Sequence, residues 1–257
     1  MIFSKLINLI GRGRLYYIKS LIRPFESKNM LDKRRDFFQQ ILTKGDLVFD
    51  IGANYGNRIS PILDLGVRVL AVDPQKDCID FLKLKFGDKI YTENCGLGEK
   101  AEYKDFFISK KQGVLSSFSE DFIEKTTQSG RFKKGDWSNK VKTKIDTFDN
   151  LISKYGKPQF AKIDVEGFEI NVLKGLSVPI PIISLEYCVP EMLDSLKLCI
   201  QRYSEIADKK LLYNYSIGES MHFKFNDWLP ESQFLDFICS DEFLATEFGD
   251  VYIKYNA

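Results

Sequence analysis

The chain has 257 residues, a length that suits one α/β domain with additions and that is sufficient to bury a core. Hydrophobic residues make up 44% and charged residues 28%, and the net charge of +1 provides no broad electrostatic footprint for nucleic acid. The five cysteines lack CxxC spacing, which argues against a disulfide framework and a zinc site. We therefore expect reduced thiols in a cytoplasmic protein.

Positive charge is concentrated at the start of the chain, where residues 1–35 hold nine Lys or Arg side chains against two acidic ones. Apolar residues there recur at spacings of three and four, which predicts amphipathic helices interrupted at Gly11 and Gly13. The apolar run is too short for a transmembrane span. We expect a helical extension over residues 1–42, either a lid packed on the domain or a basic helix that contacts an anionic membrane surface or an acidic substrate.

The remainder, residues 43–257, alternates strand and helix patterns. Strands are predicted at 47–51, 67–72, 90–95, 101–108, 141–145, 161–165, 180–185, 211–217, 221–225 and 250–255, and helices at 32–42, 57–65, 75–86, 148–155, 168–173 and 191–207. Continuous apolar strands are typical of a parallel sheet covered on both faces. Residues 110–140 show no clean periodicity, so we expect a long insertion that helps to form the substrate site.

A glycine turn follows the first of these strands, with the sequence Asp-Ile-Gly-Ala-Asn-Tyr-Gly from Asp50 to Gly56. Its spacing is GxxxG, whereas dinucleotide-binding turns have GxGxxG. The acid two positions before the first glycine would repel a phosphate but would attract the amino group or sulfonium of S-adenosylmethionine. We therefore expect Asp50, Gly52, Ala53, Asn54 and Gly56 to hold that cofactor, the alternative being a plain strand-turn-helix with nothing bound.

The next two strands end on polar side chains. Asp73 lies 23 residues beyond Asp50, at the distance where an acid at the tip of the second strand commonly holds ribose hydroxyls. It could also cap the following helix, and the two roles are compatible. Asn94, at the tip of the third strand, is predicted to face the adenine. The sequence therefore predicts a nucleoside pocket.

Acidic residues also end the fourth and fifth predicted parallel strands. Asp164 and Glu166 are two apart and are expected to share one face of extended chain, with Lys162 deeper in the strand and Glu186 at the tip of the next one. Buried carboxylates are costly unless they are paired or used. Asp164 is our first candidate for a base or acceptor-positioning group and Glu166 the second, with Lys162 expected to pair with a carboxylate. Alternatives are a structural ion pair, or a divalent cation held by Asp164 and Glu186, for which a third ligand is not evident.

These motifs together resemble the FkbM family of S-adenosylmethionine-dependent methyltransferases. The resemblance covers about residues 46–186 and is carried by the turn at Asp50–Gly56 and by Lys162–Glu169, with further pieces at Asp73-Pro74, Asn94–Gly98, Ser116-Ser117 and Ile145–Phe148. It implies the class I methyltransferase fold, a Rossmann-like three-layer α/β sandwich with a mostly parallel seven-stranded sheet and an antiparallel last strand. Gly96 and Phe168 depart from the family pattern, which commonly has alanine and a small residue at these positions.

The resemblance implies methyl transfer to a hydroxyl oxygen, often on a sugar, glycan or secondary metabolite. Two competing enzyme classes lack their characteristic motifs in this sequence. None of the twelve tyrosines lies four before a lysine, as a nicotinamide-dependent short-chain enzyme would require, and the Asn/Asp-Pro-Pro-aromatic motif of nucleic-acid amino-methyltransferases is replaced by Asp164-Val165-Glu166-Gly167. The remaining alternative is a non-catalytic binding or scaffold protein with the same fold. Neither the acceptor nor the oligomeric state can be read from the sequence.

Overall fold

The computed structural model describes residues 11–22, 26–109, 113–132 and 135–255, without the side chain of Val114. The helical pattern that the sequence predicts within residues 1–10 lies outside this part of the chain. The strands are β1 Leu47–Ile51, β2 Arg68–Val72, β3 Tyr91–Glu93, β4 Gly96–Leu97, β5 Glu102–Ile108, β6 Asn139–Asp146, β7 Phe160–Ile163, β8 Ile182–Cys188, β9 Leu211–Ile217, β10 Leu229–Pro230 and β11 Phe248–Tyr255. The described helices are α1 Arg12–Ile22, α2 Lys28–Phe38, α3 Ile59–Leu63, α4 Lys76–Phe86, α5 Glu120–Gln128, α6 Phe148–Tyr155, α7 Glu169–Lys174, α8 Leu193–Ala207, α9 Glu231–Phe237 and α10 Asp241–Leu244.

The main sheet has the order β10-β9-β11-β8-β7-β1-β2-β3. Strands β3, β2, β1, β7 and β8 are parallel neighbours, and β11 inserts antiparallel between β8 and β9. This is the predicted α/β sandwich with an antiparallel last strand, which is confirmed. The two-residue strand β10 adds an eighth member at one edge.

Helices cover both faces of the main sheet because the strands alternate apolar side chains to either side. In β1, Phe49 packs with residues of α6, α7 and α8, whereas Val48 packs with residues of α2, α3 and α4. Asp50 lies on the same side as Val48. On the face of the sheet that α2–α4 cover, apolar side chains are therefore followed by polar ones at the carboxyl ends of the strands.

A second, three-stranded sheet has the order β4-β6-β5 and contains the two extra strands that the sequence predicts. The predicted insertion follows β5. Among its described residues, 120–128 form α5, which the sequence analysis missed. Ser119 caps this helix by accepting a hydrogen bond from the backbone N–H of Phe122, and Phe122 and Thr126 are buried on one face. With one capping residue and only two buried positions among polar residues, the hydrophobic periodicity of α5 is too weak to predict a helix.

Three further predictions of strand geometry are wrong. Strand β7 ends at Ile163, so Asp164 and Glu166 do not share a face of extended chain; Glu166 has a left-handed φ of 53°. Strand β8 continues to Cys188 through its pairing with β11, which places Glu186 within the strand rather than at its tip. Residues 221–225 form no strand, although the backbone N–H of Lys224 donates to the carbonyl of Tyr215.

Helix α1 packs on α4. Gly13 allows this contact, because a Cβ atom there would lie 2.2 Å from the carbonyl oxygen of Asp77. Tyr16 stacks on Tyr55 with ring centroids 4.8 Å apart. None of the helices within the described residues is long and apolar enough to cross a membrane.

Candidate active site

The glycine turn after β1 is held close to the end of β7. Gly52 has φ +81°, and a Cβ atom there would lie 1.7 Å from the carbonyl oxygen of Asp164. The backbone N–H groups of Gly52 and Ala53 donate to the carbonyl of Val72 at 2.9 and 3.1 Å. Only glycine satisfies both the left-handed conformation and the close approach. The turn therefore brings the cofactor motif and Asp164 into contact.

Asp73 is a buried carboxylate whose contacts order the adjoining turns. Its Oδ2 accepts a hydrogen bond from the backbone N–H of Asn54 at 2.8 Å, and its Oδ1 accepts one from the backbone N–H of Gln75 at 2.7 Å. The second bond closes the start of α4. Burial raises the pKa of Asp73 to about 7, against the lowering effect of these two donors. Each oxygen has a further lone pair, so the side chain can accept hydrogen bonds from two ribose hydroxyls as well.

Two predicted cofactor residues have mainly structural surroundings. Gly56 is buried against the side chain of Leu82, where a Cβ atom would meet Cδ2 at 2.6 Å. The side-chain amide of Asn94 donates to the carbonyl oxygens of Asp73 and Pro74 at 3.0 and 3.1 Å. Neither residue lines the large cavity over the carboxyl ends of the strands. Asn94 thus acts by fixing the backbone beside Asp73.

A cavity of about 1150 Å³ lies over the carboxyl ends of the strands. Its wall includes all the other predicted cofactor residues and three of the four predicted catalytic ones: Asp50, Gly52, Ala53, Asn54, Asp73, Asp164, Glu166 and Glu186. Helix α1 and the described start of the insertion close other sides. The volume is slightly above the usual range for ligand sites, so the cavity has room for a nucleoside cofactor and an acceptor together.

Phe118 links the insertion to Gly96 and Phe168, the two positions noted as departures in the sequence resemblance. A Cβ atom at Gly96 would lie 2.5 Å from its ring, and the rings of Phe118 and Phe168 have centroids 5.5 Å apart. All three residues line the cavity. The departures are therefore one packing arrangement, in which the glycine makes space for an aromatic side chain of the insertion.

Three carboxylates meet at the end of the cavity nearest β7 and β8. One oxygen each of Asp164, Glu166 and Glu186 lies within 4.8 Å of the others. Lys162 lies beneath them, buried outside the cavity wall, and its ammonium donates to Asp164 Oδ2. Burial alone would lower the pKa of Lys162, but Asp164, Asp250 and Glu186 raise it above its ordinary value. Lys162 is thus a charged partner of Asp164, as the sequence analysis expected.

The three carboxylates differ in their affinity for protons. Burial tends to raise the pKa of Asp164, but Lys162 and Arg58 outweigh it and lower that pKa. Burial, followed by the charge of Asp164, raises the pKa of Glu166 well above its ordinary value, and the same two causes raise that of Glu186. Asp164, the first candidate base, therefore has a lowered pKa. The structure assigns the raised values to the two glutamates instead.

Arg58 is a cavity-wall residue that no sequence motif predicted. Its guanidinium lies 3.0 Å from Glu219, 3.6 Å from Asp250 and 3.9 Å from Asp164. Asp250 stands directly opposite Glu186 in the antiparallel pairing of β11 with β8. A signal existed in Asp250, the only acidic residue of the last strand, but no local pattern joins it to an arginine far away in sequence.

The carboxylate trio also supplies the third oxygen ligand that was not evident in the sequence, and its spacing could hold a divalent cation. Asp164 is already in contact with two cationic side chains, however, and a metal ion would have to compete with them. His222, the only histidine, is exposed and does not line the cavity.

Comparison with known families agrees with this geometry. Residues 50–230 match the family described as the methyltransferase FkbM domain. The chain belongs to this family. The resemblance seen in the motifs is thereby confirmed, and the match extends past them to residue 230. The protein is a methyltransferase of this family, whose cofactor is S-adenosylmethionine.

This FkbM-domain chain is also similar to solved methyltransferase structures. One is a TehB-like SAM-dependent methyltransferase from Corynebacterium glutamicum, 9% identical over 95% of this chain and 98% of that chain, with a TM-score of 0.49. Another is SMU.1697c from Streptococcus mutans, a putative methyltransferase in complex with SAH, 11% identical over 90% and 100% of the two chains, with a TM-score of 0.42. The comparison with curated proteins found no match.

The residues present in the FkbM-domain site fit S-adenosylmethionine. Asp73 offers a buried carboxylate with free lone pairs on the cavity wall, which suits a ribose. Asp50, also buried on that wall, offers a negative charge to an amino group or sulfonium. Gly52 has no side chain, so a ligand can approach the backbone between these two acids. When bound, the cofactor supplies a methyl group on a positively charged sulfur.

Proposed function

We propose that this methyltransferase modifies a hydroxyl oxygen of a sugar, a glycan or a secondary metabolite. The observation that carries the proposal is the trio of carboxylates at one end of the cavity, in which Glu166 and Glu186 have raised pKa values beside an ionised Asp164. An alcohol is a poor nucleophile until a base takes its proton, and a carboxylate with a raised pKa is a better base than an ordinary one.

The roles of the acids follow from their surroundings. Glu166 is our candidate base, and it accepts the proton of the acceptor hydroxyl as the new oxygen–carbon bond forms. Asp164 is held by Lys162 and stays ionised, so it orients the acceptor by accepting a hydrogen bond. Glu186 is a second proton-accepting group on the neighbouring strand. The order of Asp164 and Glu166 as base is thus the reverse of the order inferred from the sequence.

The test is transfer of labelled methyl from S-adenosylmethionine to a panel of free sugars, nucleotide sugars and lipid-linked sugars. We expect a product with an alkali-stable methyl ether, and we expect Glu166→Gln to reduce turnover by about 10²-fold or more, the usual contribution of a general base. The affinity for S-adenosylhomocysteine, the demethylated product, should change less than twofold. Label on nitrogen or sulfur, or cofactor binding without any transfer to the panel, would overturn the proposal; the latter result would favour the scaffold alternative.

We further propose that α1 brings the acceptor site to an anionic membrane surface. Three large apolar side chains of this helix, Ile18, Leu21 and Ile22, are exposed by 46%, 68% and 82%. Arg14 and Lys19 are exposed on the same helix, and α1 also lines the mouth of the cavity, with Lys19 and Leu21 among its lining residues. Apolar residues flanked by cationic ones are typical of helices that lie in a membrane interface. A lipid-linked glycan precursor would reach the cavity from such a surface.

Vesicle co-sedimentation tests this contact. We expect the protein to bind vesicles that contain anionic phosphatidylglycerol more tightly than vesicles of phosphatidylcholine alone, and Leu21→Ser with Ile22→Ser to reduce that binding at least fivefold. Leu198→Ser is the matched control, because Leu198 is 53% exposed on α8. Equal binding to both kinds of vesicle, or equal loss in the control, would contradict the proposal.

A further inference from the structure

The loop between β7 and α7 holds Glu166 in an uncommon conformation. Glu166 has φ +53°, and Gly167 after it has φ +85°. A left-handed glutamate is unfavourable, and such a residue persists only where its surroundings determine it. The loop therefore requires specific contacts to keep the Glu166 side chain at the cavity wall.

The first of these contacts comes from Glu169, in the first turn of α7. Its Oε1 accepts hydrogen bonds from the backbone N–H groups of Val165 at 3.0 Å and Gly167 at 3.2 Å, on either side of Glu166. Glu169 is buried and does not line the cavity. One carboxylate oxygen therefore ties together the two peptide groups that flank the candidate base.

The second contact comes from the insertion. The hydroxyl of Ser117 donates to the carbonyl oxygen of Glu166 at 2.6 Å and accepts from the backbone N–H of Ser119 at 2.8 Å. A Cβ atom at Gly167 would lie 2.5 Å from the Cβ atom of Phe122, so α5 packs directly against the loop. Neither Ser117 nor Phe122 touches the cavity, yet both determine where Glu166 can be.

We propose that Glu169 and Ser117 are positioning residues, which hold the backbone of Glu166 in its left-handed conformation so that its carboxylate meets the acceptor. This inference deepens the proposed function and rests on it for the role of Glu166. Glu169 acts from the core side of the loop and Ser117 from the insertion. Because Ser117 and α5 belong to the insertion, a shift of the insertion on acceptor binding would move Glu166 with it.

Amide hydrogen exchange and ¹³C chemical shifts of Glu166, followed by NMR, test the inference in the intact protein. We expect Glu169→Ala to speed exchange of the Val165 and Gly167 amides at least tenfold, which corresponds to about 1.4 kcal/mol. The Cα and Cβ shifts of Glu166 should move away from left-handed values. Glu169→Gln retains a carbonyl oxygen at the same place and should restore most of the protection and the shifts.

Asp149→Ala is the matched control. Asp149 lies in the first turn of a helix and, like Glu169, accepts a hydrogen bond from a backbone N–H group, that of Ser177 at 2.9 Å. That variant should affect the Ser177 amide and leave Glu166 unchanged. Unaltered exchange and shifts in Glu169→Ala would overturn the inference, as would a Gln variant that behaves like the Ala variant in a folded protein. These measurements need no acceptor, so they can succeed even if hydroxyl methylation fails.

Discussion

Asp73 and Glu166 are acids on the wall of one cavity, but their surroundings differ. Asp73 accepts hydrogen bonds from two backbone N–H groups that lie near it in sequence or across one strand, and no cationic side chain pairs with it among the described residues. Glu166 stands among other carboxylates, with Lys162 and Arg58 engaged by Asp164. The proposed nucleoside end of the site is thus built from backbone geometry, whereas the proposed acceptor end is built from converging charges.

Removing a cation from the acceptor end should have the largest effect. Arg58→Ala removes the cation that pairs with buried Asp250, while Asp164 keeps Lys162, and we expect the free energy of unfolding to fall by about 3–5 kcal/mol at pH 8. The loss should shrink toward pH 5, because the orphaned Asp250 carboxylate can then bind a proton. Urea unfolding at both pH values measures it. Arg35→Ala, which removes an exposed ion pair, should cause no measurable change, and an equal loss in both variants would contradict the charge network.

A change to the backbone geometry at the nucleoside end should lower the free energy of unfolding by nearly as much. Gly52→Ala adds a Cβ atom 1.7 Å from a backbone oxygen at a left-handed residue, so we expect a loss of about 3 kcal/mol or more in unfolding free energy. Gly45→Ala is the control, since φ there is +94° but nothing lies within 4 Å of the new atom. It should cost about 1–2 kcal/mol from conformation alone. Equal losses would show that the close approach to Asp164 does not matter.

The pH dependence of binding should distinguish the two ends. The pKa of Asp73 is raised to about 7, and in its proposed role the ionised form accepts hydrogen bonds from ribose hydroxyls. The affinity for S-adenosylhomocysteine should therefore increase as the pH rises from 6 to 8, by up to tenfold per pH unit below pH 7. Binding should also release protons. Asp73→Asn should bind more weakly and with no such slope. Calorimetry in two buffers of different ionisation enthalpy would detect the protons, and a flat wild-type profile would contradict this role.

Addition of a divalent cation should have the smallest effect. Asp164 is already in contact with Lys162 and Arg58. We therefore expect that neither Mg²⁺ nor EDTA changes the melting temperature at 1 mM, a concentration on the order of the dissociation constant of a weak metal site. A clear increase with Mg²⁺, lost in Glu186→Gln, would show that the three carboxylates hold a metal ion.

The same difference explains what the sequence could predict. The parallel strands, the turn from Asp50 to Gly56 and Asp73 after the second strand were predictable because they form local patterns of apolar runs, glycines and an acid at a fixed spacing. The left-handed loop at Glu166 was not, because it depends on the Glu169 carboxylate and on Ser117 from the insertion. Arg58 was missed because its partners Glu219 and Asp250 come from segments that only the closed sheet brings together.

The most direct test of the two-ended site is calorimetric titration of S-adenosylhomocysteine into the wild type, Asp73→Ala and Glu166→Gln. The account predicts that Asp73→Ala weakens binding tenfold or more, about 1.4 kcal/mol, while Glu166→Gln stays within twofold of the wild type. Asp80→Ala, on the exposed side of α4, should bind like the wild type. Wild-type affinity in Asp73→Ala, or an equal loss in Glu166→Gln, would contradict the division of the cavity into a nucleoside end and an acceptor end.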